Sequence, residues 1–236
     1  GSIPFLSYLK FIKGEIFVFY KDPQIRGFFT FTFFASLIIV AYSYFFVKES
    51  IPHNIRESVF NVVSILTGTG FTTEDFGSWG NFSSFFFIIL MFVGGCSAST
   101  TCGIKIFRFQ ILNLFIKKQI KQIIYPNGVF PMKYRGEAIG DTLLTSVLTF
   151  VFLYIFIFFI LTALLSLSGL DFVTAISAAA TSLSNVGPGL GEVIGPNGSF
   201  KYLPDLTKWY LSFGMLLGRL EFFTVLVLFL PSFWRS

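Results

Sequence analysis

The chain has 236 residues, of which 54% are hydrophobic, 35 are Phe and only 12% are charged. A soluble domain carries about twice that share of charge, and it could not cover so apolar an interior with polar surface. This excludes a soluble globular domain and a disordered segment, and the two cysteines exclude a disulfide-built secreted scaffold. The length has room for about four spanning helices with their loops.

Residues 1–26 are interrupted by Lys10, Lys13 and Glu15, which does not suit a signal peptide. They read as a cytosolic or interfacial linker. Gly27–Val47 is the first uncharged run, and its 21 residues can cross a hydrocarbon core about 30 Å thick. Ile55–Leu66 follows; as a helix it is about 18 Å long, too short to span. It ends in the turn Thr67-Gly68-Thr69-Gly70-Phe71. Phe76–Ile104 is the second uncharged run. It is interrupted by small and hydroxyl residues from Gly94 to Gly103, then followed by a basic stretch to Tyr125 and a connection over 126–141. Thr142–Leu170 is the third run. Asp171 then stands as a plausible N-cap before Phe172–Leu183, a second short segment, rich in Ala, Ser and Thr. It ends in Ser184-Asn185-Val186-Gly187-Pro188. The last run, Trp209–Leu230, is broken only by Arg219 and Glu221.

Helices that stop at glycines and return to the same side are re-entrant, and such backbone is tolerated at membrane depth only against protein or a watery cavity. The alternative is a pair of amphipathic surface loops. A repeat favours the re-entrant reading. Moving the sequence by 117 positions, the distance from Gly70 to Gly187, lays the first run on the third, one short segment on the other, and roughly the second run on the last. Internal repeats of this kind mark transporters and channels. The expected fold is therefore an all-α integral membrane protein. It consists of two tandem repeats (27–125 and 142–236), each a membrane helix, a pore half-helix with a re-entrant loop, and a second membrane helix.

Charge orients the repeats. With the short segments outside, the outer parts hold Lys48, Arg56, Lys201 and Lys208 against seven acids, and the inner parts hold twelve Lys and Arg against four acids. Seven of the twelve lie between Lys105 and Arg135, which is a positive-inside bias. The net charge of +5 is thus a topology signal rather than a nucleic-acid footprint. The basic stretch serves as topogenic charge or docks a partner or anionic lipid.

In Thr67–Phe71, two glycines allow successive carbonyls to point one way, and a dehydrated cation needs such oxygens in place of water. The carboxyl end of the preceding half-helix adds partial negative charge. The order Thr-x-x-Gly-Phe echoes the potassium-channel loop Thr-Val-Gly-Tyr-Gly. Gly94-Gly95-Cys96-Ser97-Ala98-Ser99-Thr100-Thr101-Cys102-Gly103 reads as a flexible loop beneath that turn, or as a small-residue helix-packing face. Arg219 and Glu221 are ionisable groups within a span and so candidates for function; a structural pairing with another helix is the alternative. Gly214-Met215-Leu216-Leu217-Gly218 is a helix-packing step. Catalysis finds no nucleophile–base set, and the single histidine, His53, falls in an expected outer loop. Cys96 and Cys102 have no histidine nearby to make a metal site.

Thr67–Phe71, the Gly94–Lys105 loop, Asn185-Val186-Gly187-Pro188-Gly189-Leu190-Gly191 and Gly218-Arg219-Leu220-Glu221 resemble the Trk/Ktr/HKT superfamily of potassium transporters, most closely its bacterial Trk membrane subunits. The resemblance covers nearly the whole chain. It implies four membrane–pore–membrane repeats around one pore, a filter glycine in each, homodimers in the bacterial inner membrane, and control by a cytosolic nucleotide-binding subunit. It gives Gly70 and Gly187 the filter-glycine role. Thr67, Gly68, Thr69, Gly70, Ser184, Asn185, Val186 and Gly187 would supply carbonyls to K⁺, the only metal implied, with the filter facing outside and no organic cofactor. It places the gate at Gly94, Gly95, Ser97, Ser99, Thr100, Gly103 and Lys105, with Arg219 set against it as an electrostatic barrier.

Only two repeats are present, matching the family's third and fourth. Two filter quarters cannot close a pore. Either the chain is the carboxyl half of a longer protein, which its first residue, Gly rather than Met, favours, or two copies assemble. Other readings are a membrane enzyme or small-molecule carrier built on Arg219, Glu221, His53 and the hydroxyl-rich loop, and a non-conducting scaffold half that needs a partner chain.

Overall fold

A computed structural model describes residues 1–47, 51–220, 222–228 and 231–235. Lys48, Glu49, Glu221 and the Phe229–Leu230 end of the last run lie outside the described residues. The described helices are α1 (Phe5–Ile12), α2 (Val18–Lys21), α3 (Pro23–Phe46), α4 (Ile51–Leu66), α5 (Asn81–Phe92), α6 (Ile106–Ile124), α7 (Asp141–Leu167), α8 (Phe172–Ser184), α9 (Asp205–Arg219) and α10 (Phe222–Leu228). A two-stranded hairpin, β1 (Lys133–Tyr134) with β2 (Glu137–Ala138), lies between α6 and α7, Lys133 opposite Ala138.

Among the described residues, two helices are long and apolar enough to cross a membrane, α3 and α7, at mean hydropathies of 1.8 and 2.8. Their outward faces carry Phe33, Phe34, Phe45, Phe152, Phe156 and Phe159, all exposed, which water would penalise and acyl chains do not. α3 starts where Asp22 accepts from the Gln24 amide at 2.9 Å with Pro23 in the first turn. Asp22 also pairs with Arg135 of the hairpin, Nη2 to Oδ1 at 2.6 Å. Gln110 of α6 donates to Pro23 O at 2.8 Å and accepts from the Tyr134 hydroxyl at 2.8 Å. The start of α3, α6 and the hairpin thus form one polar layer at the basic end of the molecule.

Between α3 and α7 stand the short helices. α8 is the most deeply packed: Ala175, Ser177, Ala178, Ala179, Ala180, Ser182 and Leu183 are all fully buried. Its small side chains are what allow neighbours to approach so closely. Asp171 caps it by accepting from the Thr174 amide at 3.1 Å.

The structure corrects the expected boundaries in three places. α4 begins at Ile51, so His53 lies within a helix and not in a loop; its Nε2 is 3.6 Å from Glu74 and 4.0 Å from Glu57. The second run divides at the small-residue stretch, as the sequence indicates. α5 has 12 residues, about 18 Å, and chain continuity to α6 runs through the loop 93–105. The last run is also divided, because α9 ends at Arg219, where its basic side chain suits the negative end of the helix dipole, and α10 begins at Phe222. Finally, α5 moved by 117 positions would begin at 198, whereas α9 begins at Asp205. The extra residues form the longer descent after the second glycine turn, which includes a 3₁₀ turn at Phe200–Tyr202.

Candidate ion-conduction site

The two glycine turns are built from hydrogen bonds between corresponding residues, the last of them to a backbone carbonyl in the first turn and to a hydroxyl in the second. After α4, the Gly68 amide donates to Ile65 O at 3.0 Å, the Thr69 amide to Ser64 O at 3.0 Å and the Gly70 amide to Ser64 O at 3.4 Å. After α8, the Asn185 amide donates to Ser182 O at 3.2 Å, the Val186 amide to Thr181 O at 3.1 Å and the Gly187 amide to the Thr181 hydroxyl at 2.9 Å. Every partner in the second set is the first-set residue moved by 117 positions. Gly68 and Asn185 occupy the left-handed region at φ 63° and 51°, and Gly70 and Gly187 have φ of 76° and 126°. Asn tolerates the left-handed region and Gly adopts positive φ without strain.

Turning the amides inward leaves the carbonyls outward. Among the described residues, no hydrogen bond is accepted by the carbonyls of Thr67, Gly68, Thr69 or Gly70, nor by those of Asn185, Val186 or Gly187. Ser184 O likewise accepts none, and the residue four positions on, Pro188, has no N–H to give. The two turns face each other. A Cβ built on Gly70 would lie 2.2 Å from Val186 O, one on Gly187 3.5 Å from Gly70 Cα, and one on Gly68 3.9 Å from Asn185 O. Backbone polar groups left unbonded at this depth are costly unless a ligand or water meets them.

Residues unremarked in the sequence hold these turns, Thr181 through its hydroxyl and Ser64 through its backbone carbonyl. Ser64 and Thr181 each stand six positions before a turn glycine, a spacing that would have pointed to them. The Thr67 hydroxyl bonds back to Val63 O at 2.7 Å and lies 2.6 Å from that of Thr69. The corresponding Ser184 hydroxyl is instead 2.7 Å from Tyr154 OH on α7. Asn61 clasps the rising limb of the first turn through Thr73, accepting from its amide at 3.3 Å. Ser177 does the same for the second, accepting from the Leu190 amide at 2.9 Å.

Beneath the turns, the loop between α5 and α6 is tied at its mouth. Val93 and Ile104 form a parallel bridge; the Gly94 amide donates to Ile104 O and the Ile104 amide to Phe92 O, both at 2.9 Å. A Cβ on Gly94 would lie 2.2 Å from Cys102 O, and Gly103 has φ 78°. The Gly95 amide donates to the Thr101 hydroxyl at 2.9 Å, and that hydroxyl is 2.9 Å from the Ser99 hydroxyl. The Ser97 amide donates to Gln24 Oε1 at 2.7 Å, and the Cys96 amide to Ser2 O at 2.8 Å. Cys96 and Cys102 are free thiols.

Arg219 reaches this loop from α9. Its Nη1 donates to Thr100 O at 2.6 Å and lies 3.6 Å from Cys102 Sγ. A cavity of about 210 Å³ opens here, lined by Ser99, Thr101, Lys105, Arg108, Phe150 and Arg219 among others. Thus Ser99, Thr100, Gly103 and Lys105 line one cavity with Arg219, whereas Gly94 and Gly95 pack against the loop's own residues and Ser2, and Ser97 is held toward Gln24. Glu221 lies outside the described residues, and His53 sits on α4 away from the loop.

Comparisons with known proteins bear on the family and the fold. The sequence model of the TrkH family, described as a cation transport protein, matches residues 9–236. The Trk system potassium uptake protein TrkI of Halomonas elongata is 43% identical over 238 residues, 100% of this chain and 48% of that protein. The Trk system potassium uptake protein TrkH of Escherichia coli K12 is 34% identical over 93% of this chain and 45% of its own length. The crystal structure of the potassium transporter TrkH from Vibrio parahaemolyticus superposes with a TM-score of 0.91 at 32% identity, over 99% of this chain and 50% of that one. The chain therefore spans about half the length of the relatives it matches. Its fold is theirs in that half: an all-α membrane architecture of two tandem helix–half-helix–helix repeats. On these grounds the chain belongs to the TrkH family of cation transport proteins.

Proposed function

We propose that this chain supplies two of the four filter quarters of a pore for potassium uptake. The observation that carries the reading is the pair of opposed turns, Thr67–Gly70 and Ser184–Gly187, whose amides are consumed by their own half-helices and whose carbonyls are left for a ligand. K⁺ entering the membrane must exchange water oxygens for others, and rows of carbonyls with the carboxyl ends of α4 and α8 behind them supply these. The names of the relatives, Trk system potassium uptake proteins, favour K⁺ as the ion.

In this reading residues 27–125 and 142–236 are the two pore repeats. Residues 1–26 and 126–141 lie on the cytosolic side, and the filter faces outward from the inner membrane of a bacterium. The other two quarters come from a preceding half of a longer protein or from a second copy. The assembled transporter is a homodimer, and a cytosolic nucleotide-binding subunit regulates it. The loop 94–103, with Lys105 at its exit, is the gate, and Arg219 is its electrostatic barrier. A fixed cation about 5 Å from a passing one raises the barrier by roughly 3 kcal/mol at an effective dielectric of about 20.

The test is K⁺ and Na⁺ flux through the intact protein in liposomes. K⁺ flux well above Na⁺ flux is expected. Equal flux of both ions, or none, would overturn the filter reading.

A further inference from the structure

α9 touches both the filter turn and the loop beneath it within one helical turn. At Met215 its carbonyl accepts a hydrogen bond from Asn185 Nδ2 at 3.0 Å. Four residues on, Arg219 donates to Thr100 O. Residues four apart share a helix face. The adjoining face is bare: a Cβ on Gly218 would lie 1.8 Å from Leu183 O, and one on Gly214 3.0 Å from the Ser182 hydroxyl. The backbone of α9 is therefore in direct contact with the end of α8 that carries Ser184 and Asn185. At Gly218 the contact is with the Leu183 backbone, which cannot swing aside to absorb a displacement.

Asn185 is also a member of the turn. It sits at φ 51° and ψ 44°, and its peptide carbonyl is one of the unbonded ones. A pull on its side chain reorients the peptide that bears that oxygen. In the first repeat the matching position is Gly68, which has no side chain to pull, so the linkage runs through the second turn alone.

We propose that Asn185 is a positioning residue that couples ion selection at the filter to the engagement of Arg219 with the loop, the last turn of α9 being the link. This rests on the filter reading given above. When Arg219 holds Thr100, Met215 holds Asn185 in register; when Arg219 leaves, α9 and the second filter turn move together.

The test is a double-mutant cycle on the intact transport protein in liposomes, with K⁺ and Na⁺ fluxes measured separately for wild type, Asn185→Gly, Arg219→Ala and the double variant. Gly keeps the left-handed backbone accessible and deletes only the side-chain bond. Asn185→Gly is expected to lower the K⁺/Na⁺ flux ratio about fivefold, the scale of one neutral hydrogen bond, and to shrink the flux gain of Arg219→Ala by a similar factor. An unchanged ratio, or the same Arg219→Ala gain in both backgrounds, would overturn the coupling. Should Asn185→Gly fail to reach the membrane, Asn185→Asp, which has no donor at that position, reads the same cycle. Wild type that carries no K⁺ would overturn the filter reading and this one with it. K⁺-selective wild type with an additive cycle overturns the coupling alone.

Discussion

The hydroxyls of Tyr154 and Ser184 lie 2.7 Å apart, both buried, at the point where the spanning helix α7 passes behind the second glycine turn. Phe92 and Phe222 pack edge-on to the same ring, so the phenol is fixed on its apolar sides and bonded at its tip. Tyr154→Phe keeps the ring and removes the bond, leaving a buried Ser184 hydroxyl without its partner. A loss of about 1 kcal/mol of stability is expected, with a lower K⁺/Na⁺ flux ratio. Melting in detergent reads the first, and liposome flux the second. Retained selectivity would show that the hydroxyl pair serves packing only.

Gly70 is constrained twice, by φ 76° and by the Val186 carbonyl that any Cβ would meet at 2.2 Å. That carbonyl is backbone and cannot swing aside. Gly70→Ser is therefore expected to displace the second turn as well as the first, and to abolish discrimination between K⁺ and Na⁺. Wild-type selectivity in this variant would remove Gly70 from the filter.

Thr181 offers a cleaner probe of the second turn. Thr181→Val keeps the shape and takes away the acceptor for the Gly187 amide. The bond is part-buried and its loss costs about 1 kcal/mol, so modestly lower thermal stability and weakened selectivity are expected together. Ser64→Ala in the first repeat should do much less, because there the Thr69 and Gly70 amides use the backbone carbonyl of Ser64.

Arg219→Ala removes the charge beside Thr100. Flux is expected to rise about tenfold or more if a cation at that position opposes passage. Unchanged flux would leave Arg219 as a structural tie between α9 and the loop.

Acid should loosen α8 from its start. Partial burial pushes the Asp171 carboxyl up, but the bonds it accepts from Thr174 and neighbouring amides outweigh this and hold it below its usual value of 3.8. Its stabilisation is thus complete at neutral pH and is lost as pH falls through that lowered range. Between pH 6 and pH 3 the melting temperature of Asp171→Asn should fall less than that of the wild type. Parallel decline in the two proteins would mean that other carboxylates dominate.

Much of this arrangement is legible in the sequence. The glycine turns after short helices, the 117-residue offset and the interruption at 94–103 are all signals of spacing, and hydropathy and turn chemistry report spacing well. The side chains behind the turns are not legible in the same way. Tyr154 lies within a continuous apolar run, where one hydroxyl breaks no periodicity, and its partner is thirty positions away. Thr181 looks like an ordinary small residue of the Ala- and Ser-rich α8, and Ser64 like one near the end of the more apolar α4, until the bonds at the shared offset are seen. The late start of α9 was hidden because sequence fixes the presence of a turn more firmly than the length of the descent after it.

The bridge between Val93 and Ile104 has a mechanical consequence. The crossing from α5 to α6 interrupts its helix yet rejoins it with two backbone hydrogen bonds at the joint. The excursion between them hangs off the axis as a side branch. Pushing or twisting α6 from its far end therefore moves α5 through that joint, as in an articulated rod, without first straightening the branch. The branch remains free to respond to whatever grips it from the side.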